Sequence, residues 1–508
     1  MWLAVLLSIL SGILLTLGLP KATLPYLSWV ALVPLLTALG GRSSRESLGL
    51  GFLCGLVHFL TMLYWIRYVV DHYGGLPFPV AASVLLLLCL YLALYPALFA
   101  LCSHLWEDSP RLWVFGLPGV WVTLEWVRAH ALSGFPWGNL GYSQTPFLTL
   151  IQAADITGVY GLSWLLVLCS TTVVGCFRLP PVRKWAIPVF CLVLGCVLVY
   201  GSWRIRDVNG LQARVRPWNA AVIQGNIDQS KKWDPAFQQE TLARYARLSR
   251  EAAESNPPPD LIVWPETATP FFYGVEEQLT GQVNEIIAET DKPLLFGSPA
   301  VTRTGGEPGF QNRAYLVSRE GRIEGAYAKR HLVPFGEYVP FKRLLFFVHR
   351  LVEAAGDFSA GRNPEPIAFG EQQLGVLICY EGIFPYLARS AVEHGATVLV
   401  NVTNDAWYGR TSAPYQHLEI ARWRAVEFRR PLIRAANTGI STVFDAVGAA
   451  CGQIPLDEEG WLVCPVRPLN IRTVYASWGD FFAWTCVASC AGCLLYTLPG
   501  KRRNRASS

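Results

Sequence analysis

The stretch GVLICYEGIFP, residues 375–385, decides how this chain is read. An apolar, strand-like run ends on a thiol, Cys379, and a tyrosine, a glutamate and a glycine follow at once. Taken alone it has two readings. Cysteine packs well as a small buried hydrophobe. At a strand end, where scaffolds present their chemistry, it is also a candidate nucleophile.

Four further runs share this form: NAAVIQGNI (219–227), DLIVWPETA (260–268), PLLFGSPAV (293–301) and TVLVNVTND (397–405). Helical stretches cover 235–255, 276–290 and 415–429, and the Pro-rich SNPPPD (255–260) reads as a loop before a strand. Strands alternating with helices predict an α/β layered domain over residues 204–479, with reactive groups where strands end. No internal repeat is present.

Outside that domain the composition changes. The chain has 508 residues, 52% hydrophobic and only 16% charged, with mean hydropathy +0.31. Soluble proteins carry about a quarter charged residues. The net charge of +5 is small, and the basic residues form no stripe with aromatics, so nucleic acid is not an expected partner. A spanning helix needs about 20 apolar residues. Candidates are 2–19, 25–40, 48–70, 78–104, 112–132, 160–177 and 185–203, seven spans within residues 1–203, and an eighth at 480–498. The first lacks the charged leader and small-residue cleavage site of a signal peptide.

Alternate loops and the tail at 499–508 hold ten basic residues: Arg42, Arg45, Arg111, Arg178, Arg183, Lys184, Lys501, Arg502, Arg503 and Arg505. The opposite short loops offer Lys21, Arg67 and Arg128. The positive-inside rule then puts both termini in the cytoplasm and residues 204–479 across the membrane. Ten of the thirteen cysteines lie in apolar segments; Cys486, Cys490 and Cys493 share one apolar helix as packing residues. Only Cys379, Cys451 and Cys464 lie in the polar part, and no paired C-x-x-C spacing suggests zinc.

Two other stretches place a reactive side chain at or just after an apolar strand. LIVWPETATP (261–270) offers Glu266, and GAYAKRHLVPFGEYVP (325–340) offers Lys329 and Glu337. Singly they read as a capping carboxylate and a solvated charge. Together they suit a thiol nucleophile, which needs a base or positive surroundings and a donor for its oxyanion. The order W-P-E, then K-R-H-L-V-P-F-G-E-Y-V-P, then C-Y-E resembles the nitrilase superfamily, whose members carry a Glu-Lys-Cys triad on an αββα sandwich. With its flanking spans, and with QGNIDQSKKWDP (224–235) and NDAWYG (404–409), the whole chain resembles the bacterial apolipoprotein N-acyltransferase family.

That resemblance implies transfer of a phospholipid acyl chain to the N-terminal amine of a diacylglyceryl-modified apolipoprotein, the last step of lipoprotein maturation. It implies a ping-pong reaction through a thioester. It implies a monomer in the bacterial inner membrane, with its carbon-nitrogen hydrolase domain in the periplasm and no metal or organic cofactor. Cys379 would be the nucleophile, Glu266 the general base and Lys329 the oxyanion's partner. Glu337 would be a second essential carboxylate, and Tyr380 and Glu381 flank the thiol. Trp233 and Trp407 match aromatic positions tied to activity, as lipid contacts or as packing.

The stretch GFPWGNLGYSQTPFL (134–148) reads as an interfacial loop, with Trp137 and Tyr142 either admitting lipid or anchoring it. Glu125 and Arg128, at i and i+3 near a span's end, read as a structural ion pair or as headgroup contacts. Two rival functions stay open. One is a membrane-anchored amidase or nitrilase hydrolysing a small C–N substrate. The other is a transporter whose soluble domain only binds, although the spans lack the ionisable residues of many ion-coupled pathways.

Overall fold

A computed structural model describes residues 1–178, 180–230, 232–304, 307–338 and 358–505. Val339 and Pro340, which end the long lysine motif, lie outside the described residues, as do Lys231 and the last three residues of the tail. The chain divides into two compact units. One comprises Met1–Arg67, Pro77–Ile205 and Ser477–Ser508; the other comprises Tyr68–Leu76 and Arg206–Ala476.

The first unit is helical. Among the described residues three helices are long and apolar enough to cross a membrane: Phe78–Leu105, Val159–Arg178 and Arg183–Gln212. A fourth follows if Ser44–Met62 and Tyr64–His72, bent by 48°, form one span. Helix length thus supports three or four spans where hydropathy suggests eight. The difference has local causes. Residues 25–40 break into a 3-10 turn, Pro25–Trp29, and a six-residue helix, Val33–Ala38, each begun by a proline in its first turn. Residues 112–132 run as a π-helical turn, Leu112–Gly116, and then a 14-residue helix, Leu117–His130. The first and last apolar helical stretches, Trp2–Leu17 and Phe481–Tyr496, are short.

Small residues bring the helices of this unit close together. A Cβ at Gly51 would stand 2.5 Å from the Pro96 carbonyl, so Ser44–Met62 meets Phe78–Leu105 nearly backbone to backbone. Glu125 and Arg128 are both buried and both reach the 134–148 loop. Glu125 Oε1 accepts from the Leu140 N–H (2.7 Å) and the Trp121 indole (2.9 Å). Arg128 donates to the Trp137 carbonyl (2.7 Å) and to Asn139 Oδ1 (2.6 Å). The i, i+3 pair therefore serves as a clamp on that loop. Trp137 and Tyr142 are buried in the same unit, Trp137 with its ring 5.0 Å from Trp65.

The second unit is a two-sheet sandwich. Its strands are β1 (Trp218–Gln224), β2 (Leu261–Val263), β3 (Leu294–Thr304), β4 (Glu307–Val317), β5 (Ile323–Ala328), β6 (Ile367–Phe369), β7 (Gln372–Ile378), β8 (Val398–Thr403), β9 (Leu432–Ala436), β10 (Ser441–Phe444), β11 (Ala450–Ile454) and β12 (Gly460–Val466). One sheet has the order β12-β1-β2-β3-β4-β5 and the other β11-β10-β9-β8-β7-β6. In each, three central strands are parallel, β1-β2-β3 and β7-β8-β9, and the edges are antiparallel.

The period-2 alternation of strands explains the apolar runs. Ala220, Val222, Leu261 and Val263 face the core between the sheets, with Val376, Ile378, Val400 and Val402 opposite. Their neighbours Ala221, Ile223 and Ile262 face outward, under the helices Pro235–Ala253 and Glu277–Thr290. Strands buried on both faces read as continuous hydrophobic runs. A disulfide, Cys451–Cys464, joins β11 of one sheet to β12 of the other.

Candidate active site

Three parallel-strand or edge-strand exits meet in the second unit. β2 ends at Val263, and Trp264-Pro265 carries the chain into a turn that presents Glu266. Thr267, next in line, has φ +50°, in the left-handed region. The turn presses on β3 at Gly297, whose N–H donates to the Pro265 carbonyl (3.1 Å). A Cβ there would stand 2.3 Å from the Thr267 nitrogen, so only glycine admits this turn. β5 ends at Ala328, and Lys329 follows. β7 ends at Ile378, and Cys379 opens a 3-10 turn, Cys379–Ile383.

Cys379 also has a positive φ, +52°. For a non-glycine residue this costs about 1 kcal/mol or more and persists only where neighbours fix it. The neighbours are visible. The Cys379 carbonyl accepts from Asn401 Nδ2 (3.3 Å) and from His417 Nε2 (3.2 Å). Asn401 accepts in turn from Arg434, which also donates to Asp405 (2.7 Å). Asp405 lies 2.9 Å from His417 Nδ1. A fully buried polar network therefore stands behind the thiol and holds its turn.

The charged groups in front of it are equally ordered. Lys329 is buried, with Nζ 2.9 Å from Glu337 Oε1 and 3.5 Å from Glu266 Oε1. Burial works against its ammonium, but Glu337 and Glu266 outweigh it and raise its pKa. Asn312 on β4 donates to Glu266 Oε1 (2.7 Å) and to Glu337 Oε1 (3.3 Å). Glu337 Oε2 accepts from the Val333 N–H (2.8 Å). Glu266 Oε2 is buried and has no hydrogen-bond partner among the described residues. A buried carboxylate oxygen left unpaired is costly, and here its lone pairs are open to a proton.

Glu381 is fully buried and fully occupied. It accepts from the backbone N–H groups of Ile378 (2.8 Å), Arg330 (2.7 Å) and His331 (3.0 Å), and from the Tyr327 hydroxyl (3.1 Å). It thus ties the strand end that carries Lys329 to the one that carries Cys379. Tyr380 is buried with its ring 5.1 Å from Phe384. Cys379 is only 7% exposed, and burial, helped by Glu266 and opposed by Lys329, pushes its thiol up to about 12. The resting group is a thiol, so to act as a nucleophile it would need a base to take its proton.

The structure brings Glu266, Lys329, Glu337, Cys379, Tyr380 and Glu381 into one centre. Trp233 and Trp407 lie in the same unit, 46% and 38% exposed, and Trp407 packs edge-on against Tyr73 at 5.0 Å. Trp137 and Tyr142 belong to the helical unit. Sequence reasoning passed over Asn312, the His417–Asp405–Arg434 network and Lys232. Lys232 is 2% exposed and its Nζ donates to the Glu266 carbonyl (3.2 Å). The two long motifs that frame the site touch each other, since Asn404 Nδ2 donates to Gln229 Oε1 (2.6 Å).

Comparison with known proteins agrees with this architecture. Residues 11–172 match the apolipoprotein N-acyltransferase N-terminal domain, and residues 219–475 match the carbon-nitrogen hydrolase family. An apolipoprotein N-acyltransferase of Geobacter metallireducens is 45% identical over 492 residues, covering 96% of this chain and 94% of that one. Another, of Methylococcus capsulatus, is 34% identical over 99% of this chain and 97% of that one. Among solved structures, a carbon-nitrogen hydrolase from Helicobacter pylori is similar at 19% identity and a TM-score of 0.40, over 53% of this chain and 95% of that one. From its helical N-terminal region through its nitrilase-like sandwich, the chain belongs to the apolipoprotein N-acyltransferase family.

Proposed function

We propose that the protein transfers an acyl chain from a membrane phospholipid to the N-terminal amine of a diacylglyceryl-cysteine apolipoprotein. The observation that carries this reading is the unpaired, buried Glu266 Oε2 in the centre that holds Lys329 and Cys379, in a chain of this family. Glu266 takes the proton of the Cys379 thiol as sulfur attacks the ester carbonyl. The C–S bond forms, the negative charge collects on the former carbonyl oxygen, and the Lys329 ammonium stabilises it. The C–O bond then breaks, and the lysophospholipid leaves with the proton returned by Glu266. The acceptor amine attacks the thioester, Glu266 takes the amine's proton, and the thiol is restored as the amide forms.

Further assignments complete the proposal. Glu337 orients Lys329, and Tyr380 and Glu381 hold the thiol's turn. The exposed Trp233 and Trp407 contact acyl chains, while the buried Trp137 and Tyr142 shape the 134–148 loop. The enzyme is a monomer in the bacterial inner membrane, with as many as eight spans at 1–203 and 480–498, and the sandwich at 204–479 faces the periplasm. The Cys451–Cys464 disulfide supports that placement, because such bonds persist in oxidising compartments. The amidase reading has less support, since the relatives over the whole chain carry the transferase name.

The test uses the purified full chain with acyl-labelled phospholipid. Hydroxylamine-sensitive label on Cys379, passed to a synthetic diacylglyceryl lipopeptide, is the expected result. Labelling that survives Cys379→Ala, or release of free fatty acid with no transfer, overturns it.

A further inference from the structure

We infer that Lys232 is a second cation of the catalytic centre, a positioning residue that holds the Glu266 turn through its main chain and favours the Cys379 thiolate through its charge. Lys232 stands in the chain between β1 and the helix Pro235–Ala253, just before the exposed Trp233. The Gln229–Asn404 contact and the hydrogen bonds of Asn437 to Ile227, from its Nδ2 to the carbonyl (2.8 Å) and from the Ile227 N–H to its Oδ1 (3.0 Å), fold this segment inward. Lys232 Nζ then ends 3.2 Å from the Glu266 carbonyl.

The two lysines differ in how they are held. Lys329 is engaged by two carboxylates. Lys232 has one hydrogen bond and no carboxylate within ion-pair distance among the described residues, so two of its three N–H donors are uncommitted. A buried ammonium without a counter-ion is expensive, and an apolar side chain of similar length would fill the space at less cost. A cost of this kind is retained where the charge serves the site. The charge sits at the turn after β2, where it holds the Glu266 carbonyl, and is within electrostatic reach of the Glu266 carboxylate and of Cys379 in the turn after β7. Burial holds Lys232 down to about 8 against the pull of the Glu266 carboxylate, so its charge is lost on mild alkalinisation.

This inference rests on Cys379 as the nucleophile, and its test separates the two ideas. Full-length protein in detergent is treated with iodoacetamide, and modification of Cys379 is followed by peptide mass spectrometry. Loading from micelles of labelled phosphatidylethanolamine is measured in parallel, with the melting temperature of each variant. Lys232→Met is expected to slow both reactions at Cys379 by about tenfold or more at neutral pH, because the developing thiolate loses a neighbouring cation. Its melting temperature is not expected to fall, because the charged lysine opposes burial. Lys232→Arg is expected to stay within about threefold of wild type, since it keeps the charge.

Wild-type rates in Lys232→Met overturn the inference. So does a lowered melting temperature with no rescue by Lys232→Arg, the pattern of a purely structural residue. If Lys232→Met does not fold, Lys232→Arg decides: its guanidinium does not titrate, so phospholipid loading persists above about pH 8, where the wild type declines. An unchanged alkaline decline overturns the inference. Phospholipid label retained by Cys379→Ala would instead defeat the nucleophile assignment, whatever Lys232 does.

Discussion

The turn after β2 and the turn after β7 are built alike and do different work. Each follows a parallel strand, each contains a non-glycine residue at positive φ (Thr267 at +50°, Cys379 at +52°), and each buries a glutamate. In sequence, W-P-E and C-Y-E look like equivalent candidates for acid–base chemistry. They differ in how many donors reach the carboxylate. Glu381 accepts three backbone N–H groups and a tyrosine hydroxyl, which fixes it in place as a strut. Glu266 has one oxygen held by Asn312 and Lys329 and the other unpaired. Saturation suits a scaffold; the vacant lone pair suits the base that we propose.

Glu266→Gln should give the largest effect. An amide cannot take the thiol proton, so phospholipid loading of Cys379 should fall by about 10³-fold with little change in melting temperature. Loading at near wild-type rates would erase the distinction between the two turns. Glu381→Gln should do the converse. Its NH₂ would face backbone donors inside the fold, costing about 3 kcal/mol of stability, read as a lowered melting temperature. Loading per folded molecule should stay within about tenfold of wild type, because Glu381 acts on geometry alone. Asn312→Ala should fall between them in loading rate, with little loss of stability. It frees Glu266 Oε1 to rotate, and roughly 10–100-fold in loading rate should be lost to misplacement. If Asn312→Ala matched Glu266→Gln, the asparagine would have to be credited with more than orientation.

Much of this centre was legible in the sequence, and the limits have physical causes. Central strands packed on both faces leave unbroken apolar runs, so β1, β2, β3, β7 and β8 stand out in the sequence. β4 to β6 and β9 to β12 do not, because several are short or half-exposed edges such as β5 and β11. Lys232 passes for a surface charge beside Lys231, since its burial depends on contacts to Asn404 and Asn437, far along the chain. Asn312 carries no local signal at all, since its partners Glu266 and Glu337 come from other elements. Hydropathy counts apolar residues and is blind to proline, which divides 25–40. It is equally blind to the 48° bend within 44–72, after which Tyr68–Leu76 joins the sandwich unit. Glu125 and Arg128 were visible as a pair, but their hold on the 137–140 backbone was not.

The depth of Cys379 has a second consequence. The same unit holds a disulfide, Cys451–Cys464, and the free Cys379 that we propose as the nucleophile, so the chain must form one bond without entangling the other. Exchange and oxidation both run through accessible thiolates. With its proton held to about pH 12 and its surface almost closed, Cys379 offers neither. The burial that calls for a base also shields the sulfur from oxidants and stray disulfides. In the proposed mechanism it reacts fastest when an ester carbonyl enters and Glu266 can move the proton: the site's reactivity is tied to its substrate, and that tie is its chemical insulation.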